Sequence, residues 1–361
     1  MINKIDIDWI LVLSLIPLLL AGFSVIGLGR QIVWVGLGFL IFFLFSRVDW
    51  RFLKTSGLLF LLFIFSAVVL TVLLLIGETI RGSSSWFDFV FFSVEPAEPA
   101  KLLLILILAK YFTRRHIEIA QFKHILISGF YAVVPAVLVF LQPDFGSSVV
   151  FVLIWLGMIM VSGTNKKHLL FIVLLMILIF TICWFFVLKP YQKDRISSFI
   201  NPLKDPQGAG YNALQSMVAI GSGQVWGKGV GYGTQSRLEF LPEYKTDFVF
   251  AAFAEEWGLI GVLIIFFCFG FLVWRILKNA YYGQSNFERF YGIGLTIFLM
   301  THFILHVGMN VGLLPITGLN MPFLSYGGSH LITIFAGLGI LMGMRKYSEK
   351  PSSQVLDSFD V

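Results

Sequence analysis

Stretches of about twenty apolar residues recur along the whole chain, and no other feature restricts the fold so severely. A helix needs roughly 20 residues to cross the hydrocarbon core of a bilayer. Only helices and closed barrels satisfy their backbone polar groups there. Apolar runs fall at 9–28, 31–45, 56–76, 96–112, 125–141, 147–162, 168–188, 248–274, 290–313 and 323–344. They predict an all-α, polytopic integral membrane protein of about ten transmembrane helices. The fourth and sixth runs are short and polar at one end, as in tilted or protein-buried spans. Composition agrees, since 58% of residues are hydrophobic and 13% charged, against about 25% charged in soluble domains.

The formal charge is +6, but the cations are scattered through short loops rather than gathered on one basic face, which argues against a nucleic-acid partner. Arg47, Arg51 and Lys54 follow the second run, and Arg114, Arg115 and Lys123 the fourth. Lys166 and Lys167, Arg275 and Lys278, and Arg345, Lys346 and Lys350 follow the sixth, eighth and tenth. This bias puts those loops and both termini in the cytoplasm. The large loop 189–247, between the seventh and eighth spans, then faces outward. Residues 1–347 read as one transmembrane domain and 348–361 as a disordered cytoplasmic tail. The first run lacks a small-residue exit and is followed at once by another, so no cleavable signal is expected. Cys183 and Cys268 lie inside apolar runs and suggest neither a disulfide nor a metal knuckle.

Candidate chemistry gathers around the outer loop, which is too long for an ordinary connection. Its Tyr211–Ile220 stretch has apolar residues at helical spacing. The glycine-rich 221–233 segment that follows reads either as a turn-rich flexible loop or as bare backbone N–H groups beside Lys228 that cradle a phosphate. Asp247 stands where this loop meets the eighth span. It is either the N-cap of the next helix or a functional acid, because an ionisable group at membrane depth costs about 2.5–3.5 kcal/mol. Glu255 and Glu256, about 100° apart on that helix, suit an ion pair or a substrate contact. Glu98 and Lys101, spaced i,i+3, share a helix face and can neutralise each other. Asp144 is a turn residue or a cavity acid. His302 and His306, spaced i,i+4 without an accompanying Glu or Cys, favour hydrogen bonding between helices.

Taken in order, these segments resemble the SEDS family (shape, elongation, division and sporulation), the RodA/FtsW-type polymerases. The resemblance rests on Glu95-Pro-Ala-Glu-Pro-Ala-Lys101, Gln142-Pro-Asp-Phe-Gly146, Gly210-Tyr-Asn-Ala-Leu-Gln-Ser216 and Gly227-Lys-Gly229. It continues through Phe240-Leu-Pro-Glu-Tyr-Lys-Thr-Asp-Phe248, Glu255-Glu-Trp-Gly258, Asn310 and the stretch from Pro315 to Ser329. It implies a membrane-embedded peptidoglycan glycosyltransferase that polymerises lipid II, with the essential acid at Asp247. It also makes Glu98, Lys101, Asp144, Arg195, Lys228, Lys245, Thr246, Glu255 and Ser325 candidates for substrate contact. A divalent cation (Mg or Mn) and a cognate class B penicillin-binding protein are implied as helpers. The short chain and tail resemble the elongation branch. A lipid II flippase and a non-catalytic scaffold are the alternatives.

Overall fold

The computed structural model describes residues 7–77, 85–88, 93–115, 122–186 and 209–345, together with 193, 197, 199 and 201. The architecture is helical. In order come α1 (Trp9–Ile26), α2 (Gly29–Ser46), α3 (Leu58–Ile76), α4 (Ala97–Arg115), α5 (Phe122–Leu141), α6 (Phe145–Val161) and α7 (Lys166–Phe186). They are followed by α8 (Ala209–Gly223), α9 (Val249–Tyr281), α10 (Asn286–Asn310) and α11 (Gly328–Arg345). Among the described residues, eight helices are long and apolar enough to cross a membrane. The fourth and sixth apolar runs form α4, which carries five charged residues, and α6, which has 17 residues. A two-stranded antiparallel ribbon, β1 (Phe87–Asp88) paired with β2 (Ser93–Val94), precedes α4 and was not legible as an apolar alternation. The tail 348–361 lies outside the described residues.

Helix α10 is the hub of the bundle, packed by α4, α6 and α9, while α11 lies against α2 and α1 against α9. Large apolar side chains on α2, α3, α5 and α7 stay exposed, as lipid-facing helices require. The ends of several helices are joined by charge. Asp8 caps α1 by accepting from the Leu11 amide (3.3 Å), and also receives Arg275 (2.8 Å) and Asn279 (2.8 Å) from α9 and Arg345 (3.4 Å) from α11. Nearby in sequence to these ends, Lys54 pairs with Glu288 at 3.0 Å and Arg114 donates to the Lys54 carbonyl at 2.9 Å.

Burial alone would raise the Asp8 carboxyl, but Arg275, Asn279, the Leu11 amide and Arg345 together hold it below its ordinary value. A depressed carboxylate contributes stability above the unfolded carboxylate range and loses it as pH falls through the lowered folded value. Removing one partner of a buried ion pair costs about 3–5 kcal/mol. Asp8→Ala is therefore expected to lower the melting temperature in detergent near neutral pH. The difference from the parent should narrow in acid.

The helix α9 is broken. Gly258 has φ 66° and ψ −168°, so the helical hydrogen-bond ladder stops there. The freed amides of Leu259 and Ile260 donate to the carbonyls of Gln224 (2.9 Å) and Val225 (3.2 Å). On the other side of the break, the Lys228 and Gly229 amides donate to the Glu255 and Glu256 carbonyls, both at 3.0 Å. The glycine-rich segment is thus a backbone splint for an interrupted helix, which replaces both the flexible-loop and the phosphate-cradle readings. Glycine is required because a Cβ on Gly258 would stand 2.3 Å from the Gly227 nitrogen, and one on Gly227 (φ 79°) 2.2 Å from the Glu256 oxygen. Gly258→Ala and Gly227→Ala are each expected to cost more than the ~1–2 kcal/mol of left-handed backbone alone. Melting curves of the purified variants check this.

Candidate active site

A cavity of about 220 Å³ opens beside the C-terminal end of α10. It is lined by Asn212, Ala213 and Met217 of α8, by Met309, and by the turn from Gly312 to Gly318. Phe199, Glu243, Asp247 and Phe248 complete it. Two carboxylates therefore share one largely apolar chamber. Asp247 is half-buried, and its Oδ2 faces Gly318, where a Cβ would approach to 3.7 Å. Glu243 went unnoticed as a site residue in the sequence. Its signal was the carboxylate four positions before Asp247 in the same polar segment.

The backbone that presents Asp247 is fixed at every residue from 245 to 248. The Tyr326 amide donates to the Lys245 carbonyl (2.8 Å), and the Ser325 hydroxyl to the Thr246 carbonyl (2.8 Å). Asn310 Nδ2 donates to the Asp247 carbonyl (3.0 Å), and the Phe248 amide to the Glu243 carbonyl (3.2 Å). Asp247 does not cap α9. The N-cap is Phe248, whose side chain cannot accept a hydrogen bond, so the capping reading is corrected. Thr246 Oγ1 donates to Glu243 Oε2 (3.0 Å), and the Lys245 ammonium lies 5.3 Å from the Tyr244 ring centre.

Below the cavity runs a buried polar network. Lys101 Nζ donates to Glu98 (2.9 Å), to Ser147 Oγ (3.3 Å) and to His302 Nε2 (3.4 Å). His330 Nδ1 donates to the other Glu98 oxygen (2.9 Å), and Ser147 Oγ donates to Glu95 (3.3 Å). Asp144 serves as the N-cap of α6 by accepting from the Ser147 amide at 3.0 Å. The sequence pointed to the Glu98–Lys101 pair through its spacing, but it gave no sign of His330, 232 positions away from Glu98. His302 and His306 meet the 315–326 loop through its carbonyls, Nδ1 donating to Asn320 (3.1 Å) and Leu319 (2.7 Å). That loop therefore rests on α10 from one side and holds residues 245 and 246 from the other.

The remaining candidates lie elsewhere. Glu255 is fully buried and receives Lys228 Nζ (2.8 Å), Thr234 Oγ1 (3.1 Å) and the amides of Gln235 (2.9 Å) and Ser236 (3.2 Å). Glu256 pairs with Arg237 at 3.1 Å. These ion pairs tie α9 to the segment 228–237. Among the described candidates only Asp247 lines the cavity; Glu98, Lys101, Asp144, Lys228, Lys245, Thr246, Glu255 and Ser325 support the structure around or beneath it. Arg195 lies outside the described residues.

Two groups of donors bear on a divalent cation. Glu98, His302 and His330 bring ligand atoms within 4.8 Å of one another. The Lys101 ammonium already occupies the cation's place there, and two imidazoles do not suit Mg²⁺. The oxygen-only pair Asp247 and Glu243 does suit it, because Mg²⁺ is usually held by one or two carboxylates together with substrate phosphates.

The fold and this chamber define a class: a polytopic helical membrane protein with a carboxylate-lined cavity at one end of a bundle that holds a buried ion-pair core. The chain matches the family described as cell cycle protein (FtsW, RodA and SpoVE) over residues 10–350. It is 34% identical to the peptidoglycan glycosyltransferase MrdB of Escherichia coli K12 across 98% of this chain and 97% of that one. It is 33% identical to stage V sporulation protein E of Bacillus subtilis, over 88% and 87% of the two chains. A solved chain concerned with coordination of polymerization and crosslinking by a peptidoglycan synthase complex superposes with a TM-score of 0.81 at 30% identity, covering 95% of this chain and 99% of that one. The rod shape determining protein RodA of Thermus thermophilus gives 0.73 at 28% identity, covering 96% and 99%. The protein belongs to the FtsW/RodA/SpoVE family.

Proposed function

We propose that the protein is a peptidoglycan glycosyltransferase that polymerises lipid II into glycan strands at the outer face of the cytoplasmic membrane, with both termini inside. The relatives named peptidoglycan glycosyltransferase support the reaction class, and the resemblance to MrdB and RodA supports a role in elongation and cell shape. The observation that carries the mechanism is Asp247, a half-buried carboxylate held by a fixed backbone in an apolar-walled outer chamber.

Such a chamber suits a sugar headgroup whose lipid tail remains in the bilayer. Asp247 takes the proton of the acceptor hydroxyl as its oxygen attacks the donor's anomeric carbon. The bond from that carbon to the diphosphate oxygen breaks, and the electron pair leaves with the diphosphate. The configuration inverts and no covalent enzyme intermediate forms. Lys228 Nζ is engaged with Glu255 and is absent from the cavity lining. A divalent cation held by Glu243 and Asp247 would supply charge neutralisation for the departing diphosphate. A class B penicillin-binding protein would cross-link the strands, a role supported by the resemblance to a chain of a synthase complex.

The test is the purified full chain in detergent with lipid II and Mg²⁺ or Mn²⁺, with and without the transpeptidase. Glycan ladders on a gel are the expected result. Headgroup translocation in vesicles without polymer would replace the polymerase by a flippase.

A further inference from the structure

The fully buried side chain of Asn310, at the last turn of α10, is engaged on both sides of its amide. Its Oδ1 accepts the Ala251 amide at 3.1 Å, in the first turn of α9. Its Nδ2 donates to the Asp247 carbonyl (3.0 Å) and to the His306 carbonyl (2.8 Å). Its own carbonyl accepts Ser216 Oγ of α8 at 2.8 Å. The first amides of a helix need acceptors, which a polar N-cap residue usually supplies. Phe248 supplies none. Asn310 performs that task from a different helix, and the same amide grips the residue proposed as base.

We propose that Asn310 is a positioning residue for Asp247: a cap supplied in trans that sets the height and direction of the carboxylate in the chamber. Three bonds converge on it from three elements, α8, α9 and α10, two of which wall the cavity. Asn310 touches no part of the chamber itself, as it is absent from its lining. It acts through Asp247, and the inference rests on the polymerase reading. Displacement of a catalytic group by about 1 Å can cost ~10²-fold in rate.

The two functions of the amide separate by substitution. Asn310→Ala removes both the acceptor for Ala251 and the donor to Asp247. Asn310→Asp keeps the acceptor for Ala251 and replaces the donor by a second carboxylate oxygen set against the Asp247 and His306 carbonyls. Steady-state polymerisation by the purified full chain, at varied lipid II, is measured beside melting temperature. Asn310→Ala is expected to lower kcat by ~10²-fold with KM within about twofold, and to lower the melting temperature. Asn310→Asp is expected to lower kcat at least as far as Asn310→Ala and to melt below the parent, because its buried carboxylate faces two carbonyl oxygens. If either variant does not fold, Asn310→Gln, which carries the same amide one methylene further out, is measured in its place, with a fall in kcat at unchanged KM expected. A parental kcat in any of these folded variants, whatever its melting temperature, would reduce Asn310 to a helix cap and overturn the proposal. Asp247→Asn run in parallel keeps the two ideas apart. If that variant is inactive while Asn310→Ala is not, only the positioning role fails; if it polymerises normally, the polymerase reading fails first.

Discussion

Asp247→Asn is expected to lower the rate of glycan polymerisation by ~10²–10⁴-fold, the usual contribution of a positioned general base. The substitution is nearly isosteric. The described contacts on its backbone run through its own carbonyl and its neighbours' carbonyls and are kept by the substitution, so the fold should survive. Melting temperature and lipid II binding should therefore stay close to the parent while the product ladder disappears. Parental polymerisation would exclude Asp247 as the base. Loss of lipid II binding together with activity would instead assign it to holding substrate.

The second large effect is expected at the buried pair of α4. Lys101 is fully buried among Glu98, Ser147 and His302, and Glu95 also feels its charge through Ser147. Lys101→Met leaves the Glu98 carboxylate with His330 alone. A buried charge stripped of its partner costs about 3–5 kcal/mol. The variant should express poorly and melt well below the parent. Removing both charges is far milder than removing one, so Glu98→Gln combined with Lys101→Met should regain much of the loss. Melting temperatures of the two single variants and the double variant form the check. Additive losses would show that the two residues act separately, and an unchanged melting temperature with lost activity would move them into contact with substrate.

The physical origin of what the sequence revealed is plain at particular residues. Apolar length is a local property, so the helices were legible from 9–28 to 323–344, with ends shifted by a few residues. Glu98 and Lys101 were legible because three residues on one helix always place side chains together. Asp247 stood out because an acid at the edge of an apolar run has a cost. The break in α9 was hidden, since Gly258 inside an apolar run looks like any tolerated glycine. Its splint is the 224–229 segment, and nothing local links the two. The same holds for Asn310, which caps a helix from a distance of 59 positions, and for His330 against Glu98. Pairings made only by the fold leave no periodic trace.

The interruption at Gly258 decides which parts of the protein the acid answers to. The piece of α9 beyond the break carries Arg275 and Asn279, fastened to Asp8. The piece from Val249 to Trp257 is tied to residues 228–237 by the Lys228 and Arg237 side chains and by the amides of Lys228, Gly229, Gln235 and Ser236. A continuous rod would join the Asp8 end of α9 to Asp247 through its own hydrogen bonds alone. Here the two pieces meet through the 224–229 segment, whose Gln224 and Val225 carbonyls hold Leu259 and Ile260 while its Lys228 and Gly229 amides bind the Glu255 and Glu256 carbonyls. The geometry of that short glycine-bearing stretch therefore sets the angle between the anchored shaft and the acid-bearing turn.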